Sequence, residues 1–233
     1  MLLDRLHRPV KGVRLVRREQ PGPGASFRIQ ILPLRLLQVA DIERIKESVA
    51  DIDGPIVTAA LANREQEPFL AAGFTPKESL YLLRHDLQTI SAASGADKIR
   101  NARRSDLERV LEIDRQGFDD FWTFDKQALA AARRATPNHR YVVATRGQHV
   151  IGYAISGQAG STGYLQRLGV AKDFQRQGVG GQLITDALQW TARAGATSTL
   201  VNTQEVNEAA RRVYEQHGFV VDDQRLTVLE WLR

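Results

Sequence analysis

The second half of the chain alternates short apolar runs with segments whose apolar residues recur at helical spacing. The apolar runs predict strands at 141–145, 150–156, 163–170, 198–203 and 226–231. The helical spacing predicts helices at 105–117, 125–134, 180–194 and 207–217. Strands and helices that alternate in this way indicate an α/β fold built on a mixed sheet.

Local signals predict where two of these helices begin and end. Ser105 and Glu108 have the spacing of a capping box at the start of the first helix. Gly218 follows the last helix, and glycine is common at a helix C-terminus because it adopts left-handed backbone angles without strain.

A glycine-rich turn lies between the predicted strand at 163–170 and the helix that follows it. Residues 175–181 read QRQGVGG, so the order of parts is strand, short bridge, glycine turn and helix start. The first amides of a helix have no intrahelical acceptor and carry partial positive charge, and glycines let an anion approach the backbone closely. The turn therefore predicts a phosphorylated ligand.

The first half contains a fainter copy of the same order of elements. It predicts a strand at 27–34, a helix at 37–48, a strand at 56–61, a helix at 65–72 and a strand at 79–87. Gly73-Phe74 follows its last helix as Gly218-Phe219 follows the last helix of the second half. The glycine turn is missing, because Leu34 runs almost directly into the helix.

Two tandem copies, the first without a phosphate site, are the interpretation that we favour. We expect a degenerate domain at 1–90, a small-residue linker at 91–97 and the active domain at 98–233. Two alternatives stay open: a chance likeness between two α/β segments, and an unrelated interaction domain at 1–90.

Composition restricts the chemistry. The chain has 233 residues, 42% hydrophobic and 25% charged, and no cysteine. Disulfides, thiolate metal sites and a cysteine nucleophile are therefore excluded, and a reducing cytoplasm is the expected location. The chain contains no run of about 18 apolar residues, so the sequence predicts no membrane span. The opening residues show no signal-peptide pattern, so we expect none.

Net charge is +5, and basic residues are concentrated near the start of the chain. Against the single acid Asp4, this segment carries Arg5, Arg8, Lys11, Arg14, Arg17 and Arg18. Such a run can contact nucleic acid or an acidic partner. It can equally be a solvated arm or a charged edge strand, which is the interpretation that we favour.

Two motifs in the second half resemble the GNAT superfamily of acyl-CoA-dependent N-acyltransferases. The first is Leu168-Gly169-Val170 followed by the 175–181 turn, which fits the pattern [Arg/Gln]-x-x-Gly-x-[Gly/Ala]. The second is N-x-x-A-x-x-x-Y-E-x-x-G-F over residues 207–219. A dinucleotide fingerprint does not fit, since its third glycine is out of place and the next strand offers Asn202 instead of an acid.

The resemblance implies the GNAT fold and acetyl-CoA as cosubstrate. Main-chain groups of Leu168, Gly169 and Val170 would pair with the pantetheine arm like an added strand, with the two apolar side chains in the core. Asn207 would hydrogen-bond the coenzyme, cap its helix, or do both. The pyrophosphate would be held by amides of Gln175, Arg176, Gln177, Gly178, Val179, Gly180 and Gly181.

The resemblance also implies the catalytic groups. Tyr214 would protonate the departing thiolate, and a backbone N–H near Leu168 would polarise the thioester carbonyl. A buried core aromatic is the alternative role for Tyr214. Some relatives carry a glutamate as general base in the strand before the last helix, where this chain has Asn202. For the general base, Glu205 and an ordered water chain therefore both stay open.

An aromatic and acidic loop follows the helix at 105–117. Its residues Asp119, Asp120, Phe121 and Trp122 are placed to line the acceptor entrance, where acids attract a cationic amine and aromatics pack its stem. A helix cap combined with a hydrophobic plug is the other interpretation.

We therefore expect a direct acetyl-CoA-dependent N-acetyltransferase. Its acceptor is an amine on a small molecule or a protein, and nucleic acid and membrane are not expected partners. A homodimer is kept open. The competing hypothesis is a regulatory module that senses acyl-CoA and uses its basic arm on nucleic acid.

Overall fold

The computed structural model of this chain describes residues 10–20, 26–92, 95 and 97–232. The chain divides into two compact units: unit 1 comprises residues up to Tyr81 together with Asp223–Arg233, and unit 2 comprises Leu82–Asp222. The domain limits expected from the sequence stay a prediction. Residues 93, 94 and 96 of the expected linker, and Asp4, Arg5 and Arg8 of the basic segment, lie outside the described residues.

Unit 1 is a small sheet packed against two helices. Strands β1 and β2 are antiparallel, β2 and β3 are parallel through the crossover helix α1, and β11 is antiparallel to β3 and β4. The isoleucines of β2 and α1 are fully buried with Phe69. The elements are β1 (Val13–Gln20), β2 (Ser26–Pro33), α1 (Val39–Ser48), β3 (Ile56–Thr58), β4 (Leu61–Ala62), α2 (Asn63–Ala71) and the later part of β11 (Val220–Trp231).

The basic segment enters β1, the first strand in the sheet order. The Arg17 guanidinium lies 3.7 Å from the ring centre of Phe27, and Arg18 Nε donates to Gln30 at 3.2 Å. These two cations therefore pack along the sheet, as expected of a charged edge strand.

Unit 2 contains a larger mixed sheet. Its strands run in the order β6-β7-β8-β9-β10, antiparallel from β6 to β9 and parallel between β9 and β10. The last residues of β5 (Thr75–His85) lie beside β10. The remaining elements are β6 (Lys98–Asn101), α3 (Leu107–Gly117), α4 (Lys126–Arg133), β7 (Asn138–Arg146), β8 (His149–Ala159), β9 (Thr162–Val170), α5 (Val179–Arg193), β10 (Ser198–Gln204) and α6 (Glu208–Gln216).

The helices of unit 2 cover both faces of its sheet. A Cβ on Gly152 would touch Leu183 of α5, whereas its neighbour Tyr153 belongs to the core under α3 and α4. Successive strand residues point to opposite faces, so α5 lies on one face and α3 and α4 on the other. No helix among the described residues has the length and apolar character to cross a bilayer.

Most expected elements of the second half are present within a few residues, with two corrections. Strand β6 was not expected, because its sequence KIRN has a single apolar residue. The capping box predicted at Ser105 and Glu108 is wrong. The carboxylate that accepts a backbone hydrogen bond at this helix start belongs to Asp106, which accepts from the Arg103 amide at 2.6 Å and from the Arg100 side chain. Glu108 instead pairs with Lys126 at 2.7 Å.

His85 connects the end of β5 to the end of α6 inside unit 2. It is 1% exposed, and its Nδ1 accepts from the Leu87 amide at 2.9 Å, so the ring proton is on Nε2. The ring hydrogen-bonds the His217 backbone and lies edge-on to Phe219, with ring centres 5.3 Å apart. Burial lowers the pKa of His85 below its ordinary 6.5, against the opposing effects of Asp86 and the His217 backbone.

This burial predicts a pH-dependent stability. Unfolded His85 takes up a proton near pH 6.5, whereas the folded ring resists it until a lower pH. The free energy of unfolding is therefore unaffected above pH 6.5 and falls as the pH drops below it. Thermal melts between pH 8 and pH 5.5 should show a smaller fall in Tm for His85→Gln than for the wild type. Equal slopes would mean that His85 is not held neutral.

Candidate functional site

The centre of the candidate site is a place where two parallel strands stop pairing. Strands β9 and β10 form only three paired positions, from Thr162 with Ser198 to Tyr164 with Leu200. Both strands continue beyond this point, to Val170 and Gln204. The edge of β9 from Leu165 onward therefore offers backbone donors and acceptors that β10 does not use.

The turn after β9 leads directly to the N-terminus of α5. Arg176 has φ +58 and Gly178 has φ +83, so both adopt left-handed backbone angles. A left-handed conformation at the non-glycine Arg176 costs about 1–2 kcal/mol. The first intrahelical bond runs from the Gln182 amide to the Gly178 carbonyl at 3.1 Å. The amides of residues 179–181 therefore precede the helical hydrogen-bond ladder.

The N-terminus of α5 differs from that of α1, the matching helix of unit 1. In α1, the Asp41 carboxylate accepts from the Gln38 amide at 3.1 Å and pairs with Arg35 at 2.8 Å. The first turn of α5 has no acidic residue, and Gly178 supplies no capping side chain. An anion is thus built into α1, whereas α5 presents its positive end to whatever anion comes from outside.

Most side chains of the turn contact other groups of the protein, so its backbone amides are the groups that can bind a ligand. Gln175 Nε2 donates to the Val170 carbonyl at 3.3 Å, and Gln177 Nε2 donates to the Asp173 carbonyl at 2.9 Å. Val179 is buried. A Cβ on Gly181 would lie 2.6 Å from His217 Nε2, so a larger residue there would force the His217 ring to move.

The expectation that Leu168 and Val170 are core residues is wrong. Both side chains are only half-buried, while Gly169 between them is buried. A Cβ on Gly169 would meet the Tyr153 ring at 2.7 Å. The same alternation of half-buried and buried residues runs along the whole of β9, including Thr162 and Tyr164, which pair with β10.

Tyr214 is the one buried residue of α6. Its side chain packs on Phe219 with ring centres 5.7 Å apart. Burial raises the pKa of Tyr214 to about 12, and the positive charge of Arg167 partly opposes this rise. Ala210, Arg211 and Val213 are half-buried and Ala209 is exposed, so the buried side of this helix is narrow.

Three further residues lie near the start of α6. Asn207 is the N-cap, because its side-chain oxygen accepts from the Ala210 amide at 3.1 Å. Glu205, a candidate general base, and Asn202, which stands where some relatives have a glutamate as general base, are both exposed. The capping role of Asn207 is therefore present in the structure, while its contact with a coenzyme stays a prediction.

The aromatic and acidic loop 118–124 touches the end of β10. One oxygen of Asp119 accepts from the Trp122 amide at 3.0 Å, and the other accepts from Gln204 at 3.3 Å. Asp120 is exposed, whereas Phe121 and Trp122 are half-buried with their ring centres 5.1 Å apart. The structure thus brings Asp119 to the end of β10, with Asp120, Phe121 and Trp122 in the same loop; their role at an acceptor entrance stays a prediction.

A buried ion pair underlies this loop, and sequence reasoning missed it. Arg167 of β9 donates from Nε and from a terminal nitrogen to the two oxygens of Asp114 on α3, both at 2.8 Å. The Asp114 side chain is fully buried and that of Arg167 is 7% exposed. The Tyr153 hydroxyl also donates to Asp114. Burial raises the pKa of Tyr153 well above its usual value.

A signal for this pair existed in the sequence. Asp114 falls four residues after Val110, on the apolar stripe of its helix, and Arg167 interrupts an apolar strand. A charged residue on a buried face needs a partner of opposite charge. Two such residues in neighbouring elements were therefore candidates for a pair.

Comparison with known proteins agrees with this geometry. Residues 107–219, which carry the site, match the family described as "Acetyltransferase (GNAT) family". A 57-residue segment is 30% identical to streptothricin acetyltransferase A of Bacillus subtilis (strain 168). That segment spans 24% of this chain and 33% of the relative, so the chain matches about a third of that protein's length.

Solved structures resemble the chain over nearly its whole length. A tandem GNAT protein from the clavulanic acid biosynthesis pathway matches with a TM-score of 0.65 at 13% identity, over 94% of this chain and 78% of that one. A GCN5-related N-acetyltransferase from Kribbella flavida gives 0.62 at 16% identity, over 98% and 93%. One from Sphaerobacter thermophilus gives 0.63 at 12% identity, over 94% and 75%.

These likenesses show the same fold, a mixed α/β sheet of the GNAT type. The family match covers the divergent strands, the glycine turn, α5 and α6 together. Residues 107–219 of this chain therefore belong to the GNAT family of acetyltransferases.

Proposed function

We propose that this protein is an N-acetyltransferase that moves an acetyl group from acetyl-CoA directly to an amine. The observation that carries the proposal is the three-position ladder of β9 and β10, which opens beside the uncapped N-terminus of α5. One edge of β9 suits an amide-bearing pantetheine arm, and the α5 amides suit a pyrophosphate. Both features lie within the residues that match the family.

The residues present fit this cosubstrate. Leu168, Gly169 and Val170 lie on the part of β9 that β10 leaves unpaired, although the Val170 carbonyl already accepts from Gln175. Residues 175–181 supply the turn and the helix start. No acidic residue in the first turn of α5 competes with the phosphates. When bound, the cosubstrate supplies an activated acyl group as its thioester.

Transfer joins the amine nitrogen to the acyl carbon, breaks the carbon–sulfur bond and moves protons between the amine, the sulfur and solvent. An amine that arrives as a cation first loses one proton; its neutral nitrogen then bonds to the thioester carbon and loses a second proton as the carbon–sulfur bond breaks. The β9 backbone near Leu168 stabilises the oxyanion, and Tyr214 gives its phenolic proton to the departing sulfur. The protons lost by the amine leave through Glu205, which is exposed, or through water, and Tyr214 regains its proton from solvent. Because the pKa of Tyr214 is about 12, its proton is present at every ordinary assay pH.

The acceptor is a primary amine on a small molecule or a protein. Asp119 and Asp120 give the entrance negative charge, which attracts a cationic amine, and Phe121 and Trp122 give it apolar surface. A chain without cysteine suits a reducing cytoplasm, where we expect this reaction to occur.

We also propose that residues 1–90 form a degenerate copy of the fold. Its support is the β2–α1–β3 connection, which is parallel like β9–α5–β10, and the carboxylate of Asp41 at the N-terminus of α1. The Asp41 carboxylate already interacts with the positive N-terminus of α1, so this helix would bind a pyrophosphate poorly.

Replacement of Tyr214 by Phe tests the catalytic assignment. We expect Tyr214→Phe to lower kcat by about 10²–10³, because it removes the proton donor and keeps the packing on Phe219. The KM for acetyl-CoA should change less than twofold. Release of free thiol from acetyl-CoA in the presence of a panel of amines measures both constants. Unchanged kcat would show that Tyr214 is only a core aromatic, and coenzyme binding without thiol release by the wild type would favour the sensor hypothesis.

Gly180 separates the ligand-binding role of the turn from its structural role. A Cβ on Gly180 would meet only Val170 Cγ2, at an ordinary 3.9 Å, so packing gives no reason for glycine here. We expect Gly180→Ala to stabilise the fold by up to about 1 kcal/mol. The added methyl should nevertheless weaken CoA binding at least tenfold, as measured by calorimetry, because it stands in front of the α5 amides.

The matched control is Gly117→Ala. Gly117 ends α3, and a Cβ there meets nothing within 4 Å. This variant should leave the Kd for CoA within twofold of the wild type. If Gly180→Ala also leaves the Kd unchanged, the pyrophosphate does not lie against the N-terminus of α5.

A further inference from the structure

The direction in which Arg167 points is set by an irregularity in its strand. In the β8–β9 ladder, Ile155 faces Arg167 but Ser156 faces Leu165, so Gln166 is an extra residue on β9. Such a bulge reverses the alternation of side chains that follow it. Before the bulge, a Cβ on Gly163 would contact Thr191 of α5, whereas after it a Cβ on Gly169 would contact Ile113 of α3. The bulge therefore turns Arg167 away from α5 and toward α3.

In this orientation, the Arg167 guanidinium contacts several groups of the 118–124 loop. Its centre lies 3.3 Å from the ring centre of Phe118 and 3.9 Å from that of Phe124, the first and last residues of the loop. One terminal nitrogen also donates to the Trp122 carbonyl at 2.7 Å. A planar cation between two aromatic rings and a bidentate carboxylate has little freedom to move.

Asp114 extends this arrangement to the far end of the loop. Its carboxylate accepts from the Phe124 amide at 2.6 Å as well as from Arg167. Both ends of the loop and the Trp122 carbonyl are thus attached to one buried ion pair. Between these attachments lie Asp119 and Asp120, and Asp119 reaches Gln204 at the end of β10.

We propose that Arg167 is a positioning residue for the acceptor: its ion pair with Asp114 fixes the 118–124 loop across β9 and β10 where the two strands have separated. This inference rests on the proposed acyl transfer, because it assigns the loop to the acceptor side of that reaction. Arg167 acts through the loop and needs no contact with the reacting atoms. The Asp114 carboxylate binds two N–H donors of the planar Arg167 guanidinium, not only its charge. Lysine lacks this pair of donors and is therefore a poor replacement.

The test uses the full chain and two kinds of variant. Arg167→Lys keeps the charge and loses the bidentate fork. Arg167→Met combined with Asp114→Asn removes both charges, so that no unpaired buried charge remains. The Asn oxygen can still accept from the Phe124 amide, and its NH2 group can donate to the Tyr153 hydroxyl oxygen. The matched control is Arg140→Met with Asp186→Asn, which removes another bidentate pair of unit 2, with both N–O distances 3.0 Å.

Two readouts distinguish positioning from general damage. With spermidine as the probe amine, both Arg167 variants should raise the amine KM at least tenfold and leave the acetyl-CoA KM within twofold. The emission of Trp122, obtained by subtracting the matching Trp122→Phe variants, should shift to longer wavelength because its loop is released to solvent. The control pair should change neither quantity.

Each possible result either supports or overturns the positioning role of Arg167. Equal rises in both KM values, or an unshifted Trp122 emission in the Arg167 variants, would overturn the positioning role. If the wild type releases no thiol with spermidine, the emission of Trp122 alone decides whether Arg167 fixes the loop. A shifted emission together with no thiol release from any amine would retain the fixed loop and reject the acyl transfer.

Discussion

The arrangement of this site depends on one constraint: a strand must find partners for its backbone groups along both edges. Strand β9 is paired with β8 along nearly its whole length, but with β10 at only three positions. The unpaired part of its edge would be costly if it were buried dry. These unpaired groups are not costly where water or another molecule completes their hydrogen bonds. An extended molecule that carries amide groups could do so.

The same logic applies to the two crossover helices. Helices α1 and α5 both follow a strand and lead to a parallel neighbour, yet their N-termini differ in charge. Asp41 supplies α1 with a carboxylate, while α5 begins at a left-handed glycine with no acid nearby in its first turn. The start of α1 thus contacts a carboxylate of its own chain, whereas the first turn of α5 contains no acidic residue.

The ion pair of Arg167 and Asp114 shows how a buried charge can serve geometry rather than stability. Burying two charges gains little net stability even when they pair well, but removing one partner leaves the other stranded. What the pair does here is bring together β9, α3 and a loop that contains two exposed acids. The bulge at Gln166 is the backbone feature that makes the pairing possible.

Much of this protein followed from local patterns. The order of strands and helices, the glycine turn, the N-cap at Asn207 and the glycine that ends α6 depend on residues close in sequence, which is why their spacing predicts them. Strand β6 forms by pairing with β7, a segment distant in sequence. The cap at Asp106 is local, three residues from Arg103, and was missed because Ser105 and Glu108 fitted the usual capping-box spacing. Alternation alone would place Arg167 on the same face as Leu165. Only the tertiary structure, through the register of β8 against β9, decides that Arg167 meets Asp114, because a one-residue shift in register turns every later side chain to the other face.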